Sequence, residues 1–181
     1  MKILLFGVSN VGKTTVGKLL SEKLAFGFYD LDEEIKTHLG MTLEEFVNTS
    51  DLLWRDQKRG RMIKRIISFD ENLVLSVTPI SYIDNFKTRI AADDILMIEL
   101  YDTPENIFSR LVFSDVNDNV YEDVEYKEAH RDHYLKKIRS DLDWYGKVFH
   151  QLGIRNRVFV NNDPPEKVAQ RIIETNNLDH I

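Results

Sequence analysis

The stretch Gly7-Val8-Ser9-Asn10-Val11-Gly12-Lys13-Thr14 decides how this chain is read. It satisfies the spacing G-x-x-x-x-G-K-[ST] in full. The spacing has a physical basis: the loop must turn tightly so that its backbone N–H groups converge on one anion. Glycine permits both the backbone angles and the close approach. Residues 3–6, just before it, form a continuous apolar run, as a strand covered on both faces would. Residues 13–25, just after it, carry Val16, Leu19, Leu20 and Leu24 at helical spacing. A strand, a glycine-bounded loop and a helix N-terminus together make a site for a nucleoside triphosphate. The amides around Gly7, Asn10, Val11 and Gly12, with Thr15 in the first helical turn, are the candidate phosphate cradle. Lys13 should reach the terminal phosphates, and the Thr14 hydroxyl should ligate Mg²⁺.

Outward from this loop the pattern alternates. Short apolar runs at residues 26–30, 73–77, 95–100 and 157–160 read as further strands. Helical spacing occupies residues 33–39, 43–48, 51–68, 80–91, 104–112, 125–150 and 165–176, with Thr42 a plausible N-cap. Strands alternating with helices predict an α/β fold with a parallel sheet, here of five strands with helices on both faces. Such sheets bind ligands at the carboxyl ends of their strands.

The composition fits one domain. The chain has 181 residues, 43% hydrophobic and 30% charged, with no internal repeat and no Pro/Gly/Ser-rich linker. Without cysteine, disulfide frameworks and thiolate metal sites are excluded. With 24 basic and 30 acidic residues the net charge is −6, which disfavours broad capture of nucleic acid. No apolar run approaches the ~18 residues of a membrane helix, and the amino terminus lacks a signal-peptide cleavage pattern. The expected compartment is the cytoplasm, and the expected assembly a monomer or weak homodimer.

Phe28-Tyr29-Asp30-Leu31-Asp32 closes the second strand. In an extended chain, residues two apart project to one side, so Asp30 and Asp32 should both face the phosphate edge. One carboxylate could hold Mg²⁺ and the other could accept a substrate hydroxyl or its proton. A bland alternative makes Asp32 the N-cap of the helix at 33–39. On the helix at 51–68, Arg55, Arg59, Met62 and Ile66 share one stripe, with Arg55 at the end expected over the cleft. A guanidinium there suits a planar carboxylate or phosphate. Lys58, Arg61, Lys64 and Arg65 read as a solvated face. His130 and His133, three apart on an expected helix, read the same way in preference to a metal pair.

The phosphate loop, the segment from Phe28 to Ile35 and the following Gly40-Met41-Thr42 resemble the shikimate kinase family of P-loop proteins. That resemblance implies a three-layer P-loop NTPase fold with strand order 2-3-1-4-5. It implies a helical acceptor-binding insert at about 33–68 and a lid at about 113–125 within one domain spanning 1–181. It implies ATP with Mg²⁺ and a small, anionic metabolite as acceptor. By the same resemblance Asp30 joins Thr14 at Mg²⁺ and Asp32 binds acceptor hydroxyls. Trp54-Arg55 matches the family's Phe-Arg, whose arginine binds the acceptor's carboxylate. Arg110 matches the position near adenine, and the loop at Asn161 the base-contacting one. A late acceptor-binding arginine falls on Arg131 or Arg139, with Arg139 favoured by counting back from the last strand.

Two family features are missing. Three consecutive glycines after the third strand are replaced by Thr78-Pro79-Ile80, so a proline without an N–H stands in their midst. Ser76 or Thr78 is the candidate to supply a hydroxyl instead. Residues 113–125 carry no arginine or lysine but five acidic residues, among them Asp115 and Asp118. Asp163 with Pro164 reads as a helix start, Asp163 as N-cap and Pro164 at the first helical position. The rival reading is a nucleotide-binding protein without catalysis, its acceptor site decayed.

Overall fold

The computed structural model describes residues 1–180, with the side chain of His180 left aside. Its centre is a five-stranded parallel sheet. The strands are β1 (Lys2–Phe6), β2 (Gly27–Asp30), β3 (Leu73–Ser76), β4 (Ile95–Tyr101) and, after a small hairpin, β7 (Asn156–Phe159). They lie in the order β2-β3-β1-β4-β7 and every pairing is parallel. This is the expected order; the fifth strand is numbered seven because β5 (Phe113–Ser114) and β6 (Val120–Tyr121) form a two-stranded antiparallel hairpin before it.

β1 is buried on both faces, as its unbroken run Lys2-Ile3-Leu4-Leu5-Phe6 requires. Its side chains divide by alternation. Ile3 and Leu5 join Val74, Ile98 and Leu100 under helices α1 (Lys13–Leu24) and α9 (Pro165–Thr175). Leu4 and Phe6 join Leu73 and Leu75 on the other face. There they meet Ile63 and Ile66 of α4 (Leu52–Ile66), with Ile35 of α2 (Leu31–Leu39) and Phe46 of α3 (Leu43–Thr49) in the same core. Three layers follow from that period-two pattern.

Several boundaries differ from the sequence expectation. The helix expected over 80–91 is a single turn, α5 (Lys87–Ile90). The cause lies in the preceding loop: the amides of Ser81 and Tyr82 are both taken by the Asp56 carboxylate, at 2.8 and 3.0 Å. α2 begins at Leu31 because Asp30 is its N-cap and accepts the Asp32 amide at 3.1 Å. The cap is therefore Asp30 and not Asp32. α6 (Pro104–Ser109) is shorter than expected. The segment expected as one helix over 125–150 breaks at His130 into α7 (Val124–Ala129) and α8 (Arg131–Gln151). At the last helix, Pro164 occupies the cap position and Pro165 the first turn. Asp163 instead pairs with Lys167 and Arg171.

Gly7 fixes the join between β1 and the loop. Its φ is +144°, and a Cβ there would lie 2.5 Å from the Leu100 carbonyl oxygen on neighbouring β4. Gly146, inside α8, has open space around it. Gly7→Ala should therefore cost about 2 kcal/mol or more, a fall in Tm of about 5 °C. Gly146→Ala should hold or raise Tm, because alanine is the better helix former. Thermal unfolding of the two variants checks the contrast.

Candidate active site

β1, β2, β3 and β4 all deliver their carboxyl ends to one edge of the sheet. In register, Asp30 of β2 lies opposite Ser76 of β3, which lies opposite Leu5 of β1. The loop after β1 turns through positive φ at Gly7, Asn10 and Gly12. α1 then starts with no side-chain cap, so its first-turn amides are left for an anion. Lys13 is buried, and its ammonium donates to the carbonyls of Gly7 and Val8, both at 2.9 Å. Burial lowers its pKa to about 8, against the opposing pull of Asp32 and Asp30.

The Thr14 hydroxyl donates to Asp30 Oδ2 at 2.7 Å and lies 3.5 Å from the Ser76 hydroxyl. Two hydroxyls and a carboxylate are an all-oxygen set of the kind Mg²⁺ takes. No group of three or more His, Cys, Asp or Glu converges among the described residues.

Asp32 sits two residues on, in the first turn of α2. The extended geometry assumed from sequence does not hold there, yet Asp30 and Asp32 still line one cavity of about 640 Å³. Thr14, Lys18, Lys36 and Asp118 line it too. Thr78 donates its hydroxyl to Asp32 Oδ2. Burial raises the Asp32 pKa, while the Thr78 hydrogen bond and the Arg59 charge hold it down.

The arginines sort differently from the sequence expectation. Arg59 is the one beside Asp32, its Nη2 3.9 Å from Oδ1. Arg55, one turn earlier, donates to the Val47 carbonyl. Arg139 pairs with Glu105 at 2.9 Å on the surface, and both side chains are exposed. Arg131 pairs with Glu128 and lies over the Phe108 ring. Neither late arginine lines the Asp32 cavity.

A second cavity, of about 340 Å³, opens behind the phosphate loop and is lined by Val11, Thr15, Arg110, Val160 and Asn162, among others. Arg110 is fixed by three acceptors: Asp102 at 2.8 Å, the Asn10 carbonyl at 3.1 Å and Asn162 at 3.0 Å. Asn161 is exposed, and Asn162 is the member of the pair that lines the cavity. Asp102 was not singled out by sequence. Its signal was its place, directly after β4 at the ligand edge. Burial works against its charge, but hydrogen bonds from Asn106, Arg110, the Thr103 amide and the Asn162 amide prevail and hold its pKa below the ordinary range.

The β5–β6 hairpin reaches the Asp32 cavity. Asp118, in a left-handed turn at φ 62°, accepts the Leu43 amide at 2.9 Å and lies 3.5 Å from the Lys36 ammonium. This acidic residue of the hairpin segment thus anchors on the α2–α3 side.

A family model described as shikimate kinase matches residues 9–177. A shikimate kinase of Persephonella marina is 38% identical over 110 residues, covering 60% of this chain and 65% of that protein. One of Caldicellulosiruptor saccharolyticus is 32% identical over 110 residues, covering 60% and 63%. These matches span a little under two thirds of the relatives' own length. Among solved structures, shikimate kinase from Bacteroides thetaiotaomicron superposes with a TM-score of 0.75 at 21% identity, covering 98% of both chains. Shikimate kinase from Acinetobacter baumannii in complex with shikimate gives 0.74 at 21% identity, covering 97% of this chain and 92% of that one. At that identity the superpositions speak for the fold.

The Asp102 network yields a prediction. Asp102→Asn leaves Arg110 without its buried carboxylate and should cost about 3 kcal/mol at neutral pH. Because the folded pKa is lowered, the wild-type advantage is present above the usual carboxylate range and lost as pH falls below about 4. Denaturant unfolding across pH should show the two proteins converging in acid.

Proposed function

The chain belongs to the shikimate kinase family, and we propose that it transfers the γ-phosphoryl group of ATP to a hydroxyl of a small anionic metabolite, shikimate being the first acceptor to test. One observation carries the reading. The phosphate-loop pair Lys13 and Thr14 shares an edge of the sheet with Asp30, Asp32 and Thr78, and Thr14, Asp30 and Asp32 line one cavity.

In this scheme the loop amides and the α1 N-terminus bind the phosphates. Lys13 leaves its two carbonyls and takes the charge that builds on the leaving β-phosphate oxygen. Thr14 and Asp30 would hold Mg²⁺, which would supply charge neutralisation for the triphosphate. Asp32 accepts the proton of the acceptor hydroxyl as its oxygen bonds to the γ-phosphorus and the bond to the β-phosphate oxygen breaks. The products are ADP and the phosphate ester. The adenine lies in the cavity by Arg110, where the guanidinium can stack on the base. α2 to α4 form the acceptor side and residues 113–125 the lid. Among the described residues no helix is long and apolar enough to cross a membrane.

A second reading, a nucleotide binder without catalysis, draws on two observations. The amides of Ser81 and Tyr82 are occupied by Asp56, and Pro79 has none to give. The lid also brings no cation to the phosphates. Mass spectrometry separates the readings, using ATP, Mg²⁺ and a panel of hydroxy acids, sugars and nucleosides. The kinase reading expects shikimate to gain one phosphoryl group. Lys13→Ala should lower kcat/KM by about a hundredfold to a thousandfold. ATP binding with no product from any acceptor points to the binder.

A further inference from the structure

Asp56 is a carboxylate with no exposed surface, on the inner face of α4. Such a group is costly unless every lone pair has a partner. Its partners reach two different elements. Oδ2 accepts the amides of Ser81 and Tyr82, in the loop after β3. Oδ1 accepts Nη1 of Arg59 at 3.3 Å.

Each partner leads to Asp32. The loop held at Ser81 carries Thr78, whose hydroxyl occupies Asp32 Oδ2. Arg59, lying over the Phe46 ring, presents Nη2 to Asp32 Oδ1. Asp32 Oδ1 has no hydrogen-bond partner, and neither does Arg59 Nε. Thus one oxygen of Asp32 is engaged, and the other is buried and unpartnered beside a guanidinium with a donor to spare.

We infer that Asp56 and Arg59 act as one positioning unit. The buried Asp56 carboxylate sets both flanks of Asp32, so that the Asp32 carboxylate is held at the cavity wall with the Arg59 guanidinium alongside. The inference rests on the kinase reading and goes beyond it. It assigns to α4 the positioning that a glycine-rich backbone would otherwise provide after β3. Asp56 and Arg59 are positioning residues, acting through Asp32 and Thr78. Lysine cannot replace Arg59, because one ammonium on a flexible stem cannot hold two carboxylates in a fixed fork.

The test uses Asp56→Asn and Arg59→Lys, singly and together, in the full chain with ATP, Mg²⁺ and shikimate. Each single variant should lose about tenfold or more in kcat/KM for shikimate, while ATP affinity stays within about twofold. The double variant should be no worse than the poorer single, the signature of one unit. A fall in Tm with unchanged shikimate kinetics would make the pair purely structural and overturn the inference, as would additive losses. If Asp56→Asn does not fold, Arg59→Lys decides alone: unchanged shikimate kinetics overturns the inference. Wild type that binds ATP but leaves shikimate unphosphorylated rejects the acceptor and not the pair. Amide hydrogen exchange at Ser81 and Tyr82 in Arg59→Lys then decides, faster exchange supporting the unit and unchanged exchange overturning it.

Discussion

The loop after β1 closes around its own lysine. Lys13 is buried against the carbonyls of Gly7 and Val8, in a ring that Gly7 permits only because it has no side chain to strike β4. That closure places the α1 N-terminus, the Thr14 hydroxyl and, through it, Asp30. The rest of the ligand edge is arranged around this point. β3 brings Ser76, β4 brings Asp102, and α2 starts from Asp30 itself. A buried ammonium near two carboxylates, bonded only to neutral carbonyls, is an electrostatic arrangement that a phosphate chain completes.

On the α2–α4 side the same device recurs with opposite charge. Asp56 gathers two backbone amides and one guanidinium, fixing α4 to the loop after β3. Asp102 does the same beside the second cavity, joining Arg110 to the amides of Thr103 and Asn162. Asp118 ties the lid hairpin to Lys36 and to the start of α3. In each case a carboxylate adds charge-assisted hydrogen bonds to a loop; in the loop after β3 these act alongside the buried Val77, Ile80, Ile83 and Phe86.

The sheet was legible because β1 reads as a strand buried on both faces and the glycine spacing leaves one local geometry. The Asp30–Asp32 pair was legible as a pair, though its geometry was not: Asp30 caps α2 and so puts Asp32 into a helix. Which arginine stands beside Asp32 was not legible. Arg55 and Arg59 share one helical stripe, and their rank along the axis depends on how α4 packs against α2. Asp56 was invisible for a related reason, since two of its three partners are backbone amides some 25 residues away, and Asp102 because its local partners close a network only when the distant Asn162 amide joins them. The short α5 was misread because two of the amides that a helix would use go to a side chain. The anchoring of Asp118 was not legible because net charge says nothing of a single residue's hydrogen bonds.

The central claim is that this loop binds the phosphates of a nucleotide. Calorimetric titration with a nonhydrolysable ATP analogue and Mg²⁺, set beside titration with adenosine, tests it most directly. The account requires saturable one-to-one binding of the analogue and much weaker binding of adenosine, the difference being the phosphate contacts. Equal affinity for both, or no heat from the analogue, contradicts it.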